Sequence, residues 1–271
     1  MQDTGMVLYL IGIGLSDEQD ITIKGLEAIK NAEKVYLEYY TSRLQVEPSK
    51  LEALYGKKLI VCNRELVEQR AEDTILADAQ HHDVAFLVIG DVMSATTHSD
   101  LILRAKEKKI PVVVINNTSI MNAVGNTGLE LYKFGKTTSI VFPQKNYAPE
   151  TCYDIIKQNQ SIGAHTLCLL DIHADAGPEQ QAKCMTLNEG LQILLDIEKK
   201  RKENVLSENT LVLGCARMGA GAHQLIKAGT LRDLLTVNFG KTPHCIVIPA
   251  KTLHFKEEEM VGLWRSSKIP Q

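Results

Sequence analysis

Short, nearly continuous runs of Val, Ile, Leu and Phe recur in the first half of the chain, at residues 7–11, 34–38, 59–62, 84–89 and 112–115. Apolar runs of this length without alternation describe strands covered on both faces. Between them the apolar positions change to helical spacing. Ile23, Leu26 and Ile29 fall on one face of a first helix, behind the polar loop 16–20, and Leu66, Ala71 and Ile75 fall on one face of a second. A third helix is predicted to start near Thr97, with Asp100 in its first turn and Leu101 and Ala105 on one side. Strand and helix alternating at this spacing predict a largely parallel sheet.

The pattern pauses at Asn116-Asn117-Thr118-Ser119, and a stretch punctuated by Gly125, Gly128 and Gly135 follows. A second set of strands is predicted at 139–142, 166–170, 210–214 and 245–249. Thr186 and Glu189 form the sequence signature of a capping box, opening a helix over 187–202 with Leu191, Leu194 and Leu195 apolar. The run Lys199-Lys200-Arg201-Lys202 reads as a solvated helix end favoured by the dipole, or alternatively as a contact for RNA. Residues 171–190 form a Gly, Pro, Ala and Gln-rich excursion. The reading is α/β throughout, in two domains, 1–116 and 117–271.

Composition narrows the class. The chain has 271 residues, 44% hydrophobic and 23% charged, with 30 Lys and Arg against 33 Asp and Glu for a net charge of −3. Such balance disfavours a polybasic nucleic-acid or membrane binder. The run 7–11 is far short of the roughly 20 apolar residues of a membrane helix, and no secretory signal is recognisable around it. Cys62, Cys152, Cys168, Cys184, Cys215 and Cys245 are scattered without a C-x-x-C, as in a reduced, cytoplasmic protein. No spacing of His and Cys suggests a metal site, and hydrolase, Walker and zincin motifs are missing.

Several segments could carry chemistry. Gly12-Ile13-Gly14 directly after the first strand allows a tight turn and reads as part of a dinucleotide fingerprint, with Glu38 ending the next strand as a ribose-binding acid. The third glycine is replaced by Asp17, however, and Asp17, Glu18 and Asp20 crowd the place a pyrophosphate needs. An anionic cofactor is therefore disfavoured. Gly90-Asp91 falls at the carboxyl end of the 84–89 run, where open α/β sheets bind ligands; Asp91 reads equally as a cap of the following turn. The loop 116–122, the turn Arg217-Met218-Gly219-Ala220-Gly221 and Pro243-His244 are further polar strand ends.

Taken together, Leu10-Ile11-Gly12-Ile13-Gly14, the stretch from Asp17 to Asp20-Ile21-Thr22, and Ile89-Gly90-Asp91 resemble the tetrapyrrole-methylase superfamily of S-adenosylmethionine enzymes. Further segments are similar to its diphthine synthase branch. These are Val35-Tyr36-Leu37-Glu38-Tyr39-Tyr40-Thr41-Ser42, Ala95-Thr96-Thr97-His98-Ser99-Asp100 and Ser119-Ile120-Met121-Asn122-Ala123-Val124-Gly125. Leu131-Tyr132-Lys133-Phe134-Gly135, Ser139-Ile140-Val141-Phe142 and Thr166-Leu167-Cys168-Leu169-Leu170-Asp171-Ile172 complete the set. The resemblance runs from about Val7 to about Trp264, with residues 1–5 as an extension.

The resemblance implies two α/β domains with the cofactor in the cleft between them, and a homodimer whose interface is in the second. It implies methylation of a 3-amino-3-carboxypropyl-histidine on translation elongation factor 2, in the diphthamide route. By position, S-adenosylmethionine contacts fall at Leu15, Asp91, Ser94, Ser119, Ile120, Leu170, Met218 and His244, several through the backbone. Ser94 stands where the family usually has glycine, so strain is expected if φ there is positive. Archaeal members stop at the trimethylated amine, and eukaryotic members also methylate the carboxylate; the 171–190 excursion points to the eukaryotic type. Transfer from a sulfonium needs alignment more than an acid or base. No single essential base is expected, with His98 the candidate if there is one. The competing readings are a tetrapyrrole or ribosomal RNA methylase, a nicotinamide oxidoreductase resting on Gly12, Gly14 and Glu38, and a binding protein that has kept the fold.

Overall fold

A computed structural model describes residues 6–40, 42, 44–94, 98–173 and 183–266. The chain divides into two units, Met1–Met121 and Asn122–Gln271. Residues 1–5, the predicted helix start near Thr97, and positions 174–182 of the 171–190 excursion lie outside the described residues.

The first unit is built on five parallel strands, β1 (Leu8–Gly12), β2 (Lys34–Glu38), β3 (Ile60–Cys62), β4 (Val84–Val88) and β5 (Val112–Ile115), in the order β3-β2-β4-β1-β5. Every residue of β4 is buried, as a strand covered on both faces requires. The helices are α1 (Ile23–Asn31), α2 (Pro48–Tyr55), α3 (Arg64–Glu68), α4 (Ile75–Ala79), α5 (Ser99–Glu107) and the short α6 (Ile120–Ala123). Two expectations need correction. In α1 the buried stripe is Gly25, Ala28 and Ile29, whereas Ile23 is 80% exposed. Thr22 caps the helix by accepting from the Gly25 N–H, which leaves Ile23 in the first turn on the outer side. The predicted second helix is broken into α3, a 3-10 turn (Ala71–Asp73) and α4. Thr74 leaves helical geometry there (φ −127°, ψ −94°). Val67, Ala71 and Ile75 are buried, and Leu66 only half so. In α5, Leu101 and Ala105 face inward as expected.

The second unit holds a sheet of order β11-β10-β12-β7-β6, formed by β6 (Thr138–Ile140), β7 (Thr166–Leu170), β10 (Leu211–Ala216), β11 (Leu225–Thr230) and β12 (His244–Ile248). A two-stranded ribbon, β8 (Ile172–His173) and β9 (Lys183–Cys184), stands apart. The helices are α7 (Thr151–Ser161), α8 (Leu187–Arg201), α9 (Leu231–Leu234) and α10 (Phe255–Ser266). Only β6 and β7 pair in parallel; the other pairings are antiparallel. The strand β11 is unforeseen by the apolar pattern. The capping box at Thr186 and Glu189 forms as predicted. The basic run at the end of α8 is tied to acids, Lys200 to Glu150 at 2.5 Å and Arg201 to Asp154 at 2.7 Å. Five cysteines are buried, and Cys184 is half-buried.

Glu257, on α10, has no exposed side-chain surface. It accepts from the backbone N–H of Glu130 (3.0 Å) and His254 (2.8 Å), from Lys133 Nζ (3.0 Å) and from His165 Nε2 (2.9 Å). His165 Nδ1 accepts from the Ala250 N–H at 2.9 Å, so Nε2 carries the proton. Burial alone raises the Glu257 pKa, but the four donors outweigh it and hold the carboxyl at about 2. Burial also holds His165 below its ordinary value. Both shifts favour the unfolded state's uptake of protons as pH falls. The Glu257 contribution is fully present above its unfolded value near 4.5 and disappears toward about 2. The His165 contribution begins to fall once pH drops below about 6.5. Trp264, the single tryptophan, lies on the same helix and donates to the Thr127 carbonyl. Urea melts followed by its fluorescence should lose up to about 3 kcal/mol through the Glu257 limb, and Glu257→Gln should flatten that limb while lowering the midpoint at pH 7.

Candidate cofactor site

In the first unit, β1, β4 and β5 run side by side and bring their carboxyl ends to one edge. The backbone there has left the ladder, so its polar groups need partners. Asp91, just past β4, supplies them. One carboxylate oxygen accepts from the Met93 N–H (2.9 Å) and Ser94 Oγ (3.1 Å). The other accepts from Asn116 Nδ2 (3.0 Å) and the Asn117 N–H (2.9 Å). Burial raises the Asp91 pKa, but these donors prevail and hold it below the usual carboxylate range. With about four lone-pair positions on a carboxylate, the side chain is saturated by its own protein. It shapes the loops, and contacts to a ligand fall to the backbone around it.

The glycine loop is assembled in the same way. Gly14 and Gly90 face each other in an antiparallel bridge, with Gly90 N–H donating to the Gly14 carbonyl at 2.7 Å. Both have positive φ, and a Cβ on Gly14 would lie 2.3 Å from that of Asp20. Asp20 is close because its Oδ2 accepts from the Leu15 N–H (2.9 Å) and Ser16 N–H (2.7 Å). The chain's own carboxylate therefore occupies the seat that a phosphate takes in a nucleotide-binding glycine loop. Asn117 Nδ2 closes the ring, donating to the carbonyls of Gly12 and Asp20 at 3.0 Å each. These roles of Asp20 and Asn117 were not among the sequence-derived contacts.

Of the sequence-derived residues, the fold brings Leu15, Asp91, Ser94 and Ser119 together. A Cβ built on Gly90 would sit 3.6 Å from Leu15 Cδ2, 3.8 Å from the Thr118 carbonyl and 4.0 Å from Ser119 Cα. Hydrogen in place of a side chain thus leaves a cradle between the loops. Ile120 opens α6 next to Ser119, whose Oγ accepts from the Met121 N–H. The strain expected at Ser94 does not arise. Among the described residues, positive φ outside glycine occurs at Lys109, Lys202, Asn204 and Arg217.

His98 is 5% exposed and packs edge-on against Phe86. Its Nδ1 donates to the Val92 carbonyl at 3.0 Å, and Nε2 lies 3.9 Å from Glu38 Oε2. Glu38 itself is 1% exposed and accepts from the Tyr40 N–H. Neither presents a free face to a ligand: His98 braces the Asp91 turn from beneath, and Glu38 is not placed to take a ribose.

In the second unit the register sets His244 opposite Ala216 and Cys245 opposite Leu169. Leu170 and His244 therefore share one end of that sheet with Met218, two residues beyond β10. His244 Nδ1 accepts from the Leu187 N–H at the start of α8 (3.2 Å), and Nε2–H donates to the Lys241 carbonyl (3.1 Å). Burial holds its pKa below the ordinary histidine value, so the neutral ring serves as a strut. No group of three His, Cys, Asp or Glu side chains suited to a metal occurs among the described residues.

Comparison with known proteins agrees with this architecture. The model of the tetrapyrrole (corrin/porphyrin) methylases matches residues 7–235. A diphthine synthase of Methanocaldococcus jannaschii is 48% identical over 254 residues, covering 93% of this chain and 96% of its own. A diphthine methyl ester synthase of Homo sapiens is 48% identical over 272 residues, 95% of each chain. A crystal structure of diphthine synthase superposes with a TM-score of 0.84 at 35% identity, covering 96% of both chains. The chain belongs to the tetrapyrrole methylases, in their diphthine synthase group of S-adenosylmethionine-dependent methyltransferases.

Proposed function

We propose that this protein methylates the amine of a 3-amino-3-carboxypropyl-histidine on translation elongation factor 2, producing diphthine or its methyl ester for diphthamide synthesis. The observation that carries the reading beyond family membership is the Asp20 carboxylate on the Leu15 and Ser16 N–H groups. A loop whose anion seat is already filled rejects a dinucleotide and suits a cofactor that is cationic and free of phosphate. Buried Glu38 removes the other support for a nicotinamide enzyme. Pairing of Lys200 with Glu150 and of Arg201 with Asp154 draws two of the four cations of the run on α8 into protein contacts and weighs against an RNA substrate.

S-adenosylmethionine supplies the methyl group from its sulfonium and leaves as a neutral thioether. The first unit holds it by the loops at Leu15, Asp91, Ser94, Ser119 and Ile120, with the Gly90 cradle giving room for close approach. In the second unit, taken by itself, the residues assigned to the cofactor are Leu170, Met218 and His244, at one end of that sheet. Holding the reacting atoms in line is the dominant requirement for a displacement in which charge disperses. The attacking amine must be neutral, and a desolvated position favours that form. His98 is 5% exposed, with Nδ1–H held by the Val92 carbonyl and Nε2 facing Glu38, which supports a reading in which no single side chain is an essential base. The reading carries with it a cytoplasmic location and a homodimer. No described helix is long and apolar enough to cross a membrane, and a monomer mass in sedimentation at micromolar concentration would remove the dimer.

The decisive assay incubates elongation factor 2 bearing the precursor arm with this protein and S-adenosylmethionine, and reads the intact mass of the modified peptide. Methyl-sized increments are expected, and their number distinguishes the trimethylated amine from the additional ester; no gain rejects the function. Asp91→Asn turns one oxygen into a donor facing donors, and calorimetry should show S-adenosylmethionine affinity weakened by about tenfold to a hundredfold. His98→Asn, which can still donate to Val92, should keep turnover within the roughly 10²-fold that loss of a general base would exceed.

A further inference from the structure

Two stretches of the second unit lead into the sheet end at Met218 and His244: the turn 217–224 after β10, and the segment 239–243 before β12. Neither contains regular sheet structure that would fix it to the other. The side chain of Arg217 does so. Its Nε donates to the His223 carbonyl at 2.7 Å, and Nη1 donates to the carbonyls of Phe239 (3.0 Å) and Lys241. Its own backbone N–H donates to the Pro243 carbonyl at 2.8 Å. The Lys241 carbonyl also receives His244 Nε2, so guanidinium and imidazole meet on one oxygen.

Two features set this arginine apart from an ordinary surface cation. First, no carboxylate among the described residues pairs with it; three carbonyl dipoles take the place of a counter-charge. Burial without an acid pulls its pKa below the usual arginine value. Second, its φ is +50°, a left-handed conformation that glycine adopts freely and an arginine does not. The backbone alone would favour glycine at this position. What the arginine adds is a planar fork able to reach several carbonyls at once, a task for which lysine's single ammonium is poorly shaped.

We propose that Arg217 is a positioning residue for cofactor binding: its guanidinium locks the 217–224 turn to the 239–243 segment and so sets where Met218 and His244 meet S-adenosylmethionine. This rests on the reading that those two residues contact the cofactor. A residue acting only on stability would leave affinity in the folded protein untouched, whereas a positioning residue shows in KM and Kd.

The test uses the full chain with Arg217→Gly and Arg217→Lys. Glycine suits the local φ and removes all three donors; lysine keeps the charge and loses the fork. Kd for S-adenosylmethionine is measured by calorimetry, KM and kcat by methylation of precursor-bearing elongation factor 2, and folding by thermal melting. For R217G the expected result is a rise of about tenfold in Kd and in KM for S-adenosylmethionine, with a much smaller change in kcat. R217K should fall between R217G and the parent. Parental Kd and KM in either folded variant, with or without a lower Tm, overturn the proposal. A parent protein that itself fails to bind S-adenosylmethionine removes the functional reading beneath it, so the two failures are distinguishable.

Discussion

A carboxylate with all four of its acceptor positions filled by its own chain is the constraint on which the first unit's site depends. Asp91 gathers the turn after β4 and the loop after β5, which have no ladder between them at that point. Asn117, held by that carboxylate through its backbone, reaches with its side chain into the glycine loop after β1. Three loops from three strands thus converge on one buried charge. Breaking the charge leaves donors on every side without partners, which costs more than the bonds themselves contribute.

The second unit solves the same problem with neutral histidines. His165 and His244 each use one ring nitrogen as acceptor and the other as donor, and each joins elements far apart in sequence. A neutral imidazole can satisfy a donor and an acceptor at once without the desolvation cost of an ion. His98 in the first unit braces a turn by similar means. His98, His165 and His244 each hydrogen-bond main-chain groups beside strand ends, while methyl transfer itself asks mainly for geometry.

Legibility in the sequence followed the physics of each element. Strands β1, β2, β4 and β5 were visible because a parallel sheet buried on both faces leaves unbroken apolar runs. Strand β11 was not, because Lys227 and Gly229 interrupt it and its place depends on antiparallel pairing with β10. The outward turn of Ile23 follows from a cap at Thr22, which hydrophobic spacing does not encode. At the site, Asp91 and Ser119 could be picked out as polar residues at strand ends. Asp20, Asn117 and Arg217 acquire their roles from backbone groups left unpaired by the fold, and such groups have no signature in local sequence. The Ser94 substitution looked disruptive only as long as glycine's freedom was assumed to be needed there.

The distribution of thiols has a practical side. Burial pushes Cys62 up to about 12 and raises Cys152 and Cys168, and contact with Cys245 together with burial raises Cys215. Since alkylating reagents capture the thiolate, these sulfurs are protected both by access and by protonation. Cys184, half-exposed on β9, is then the natural handle for a maleimide fluorophore or a spin label in the unmodified chain, with no cysteine needing removal first.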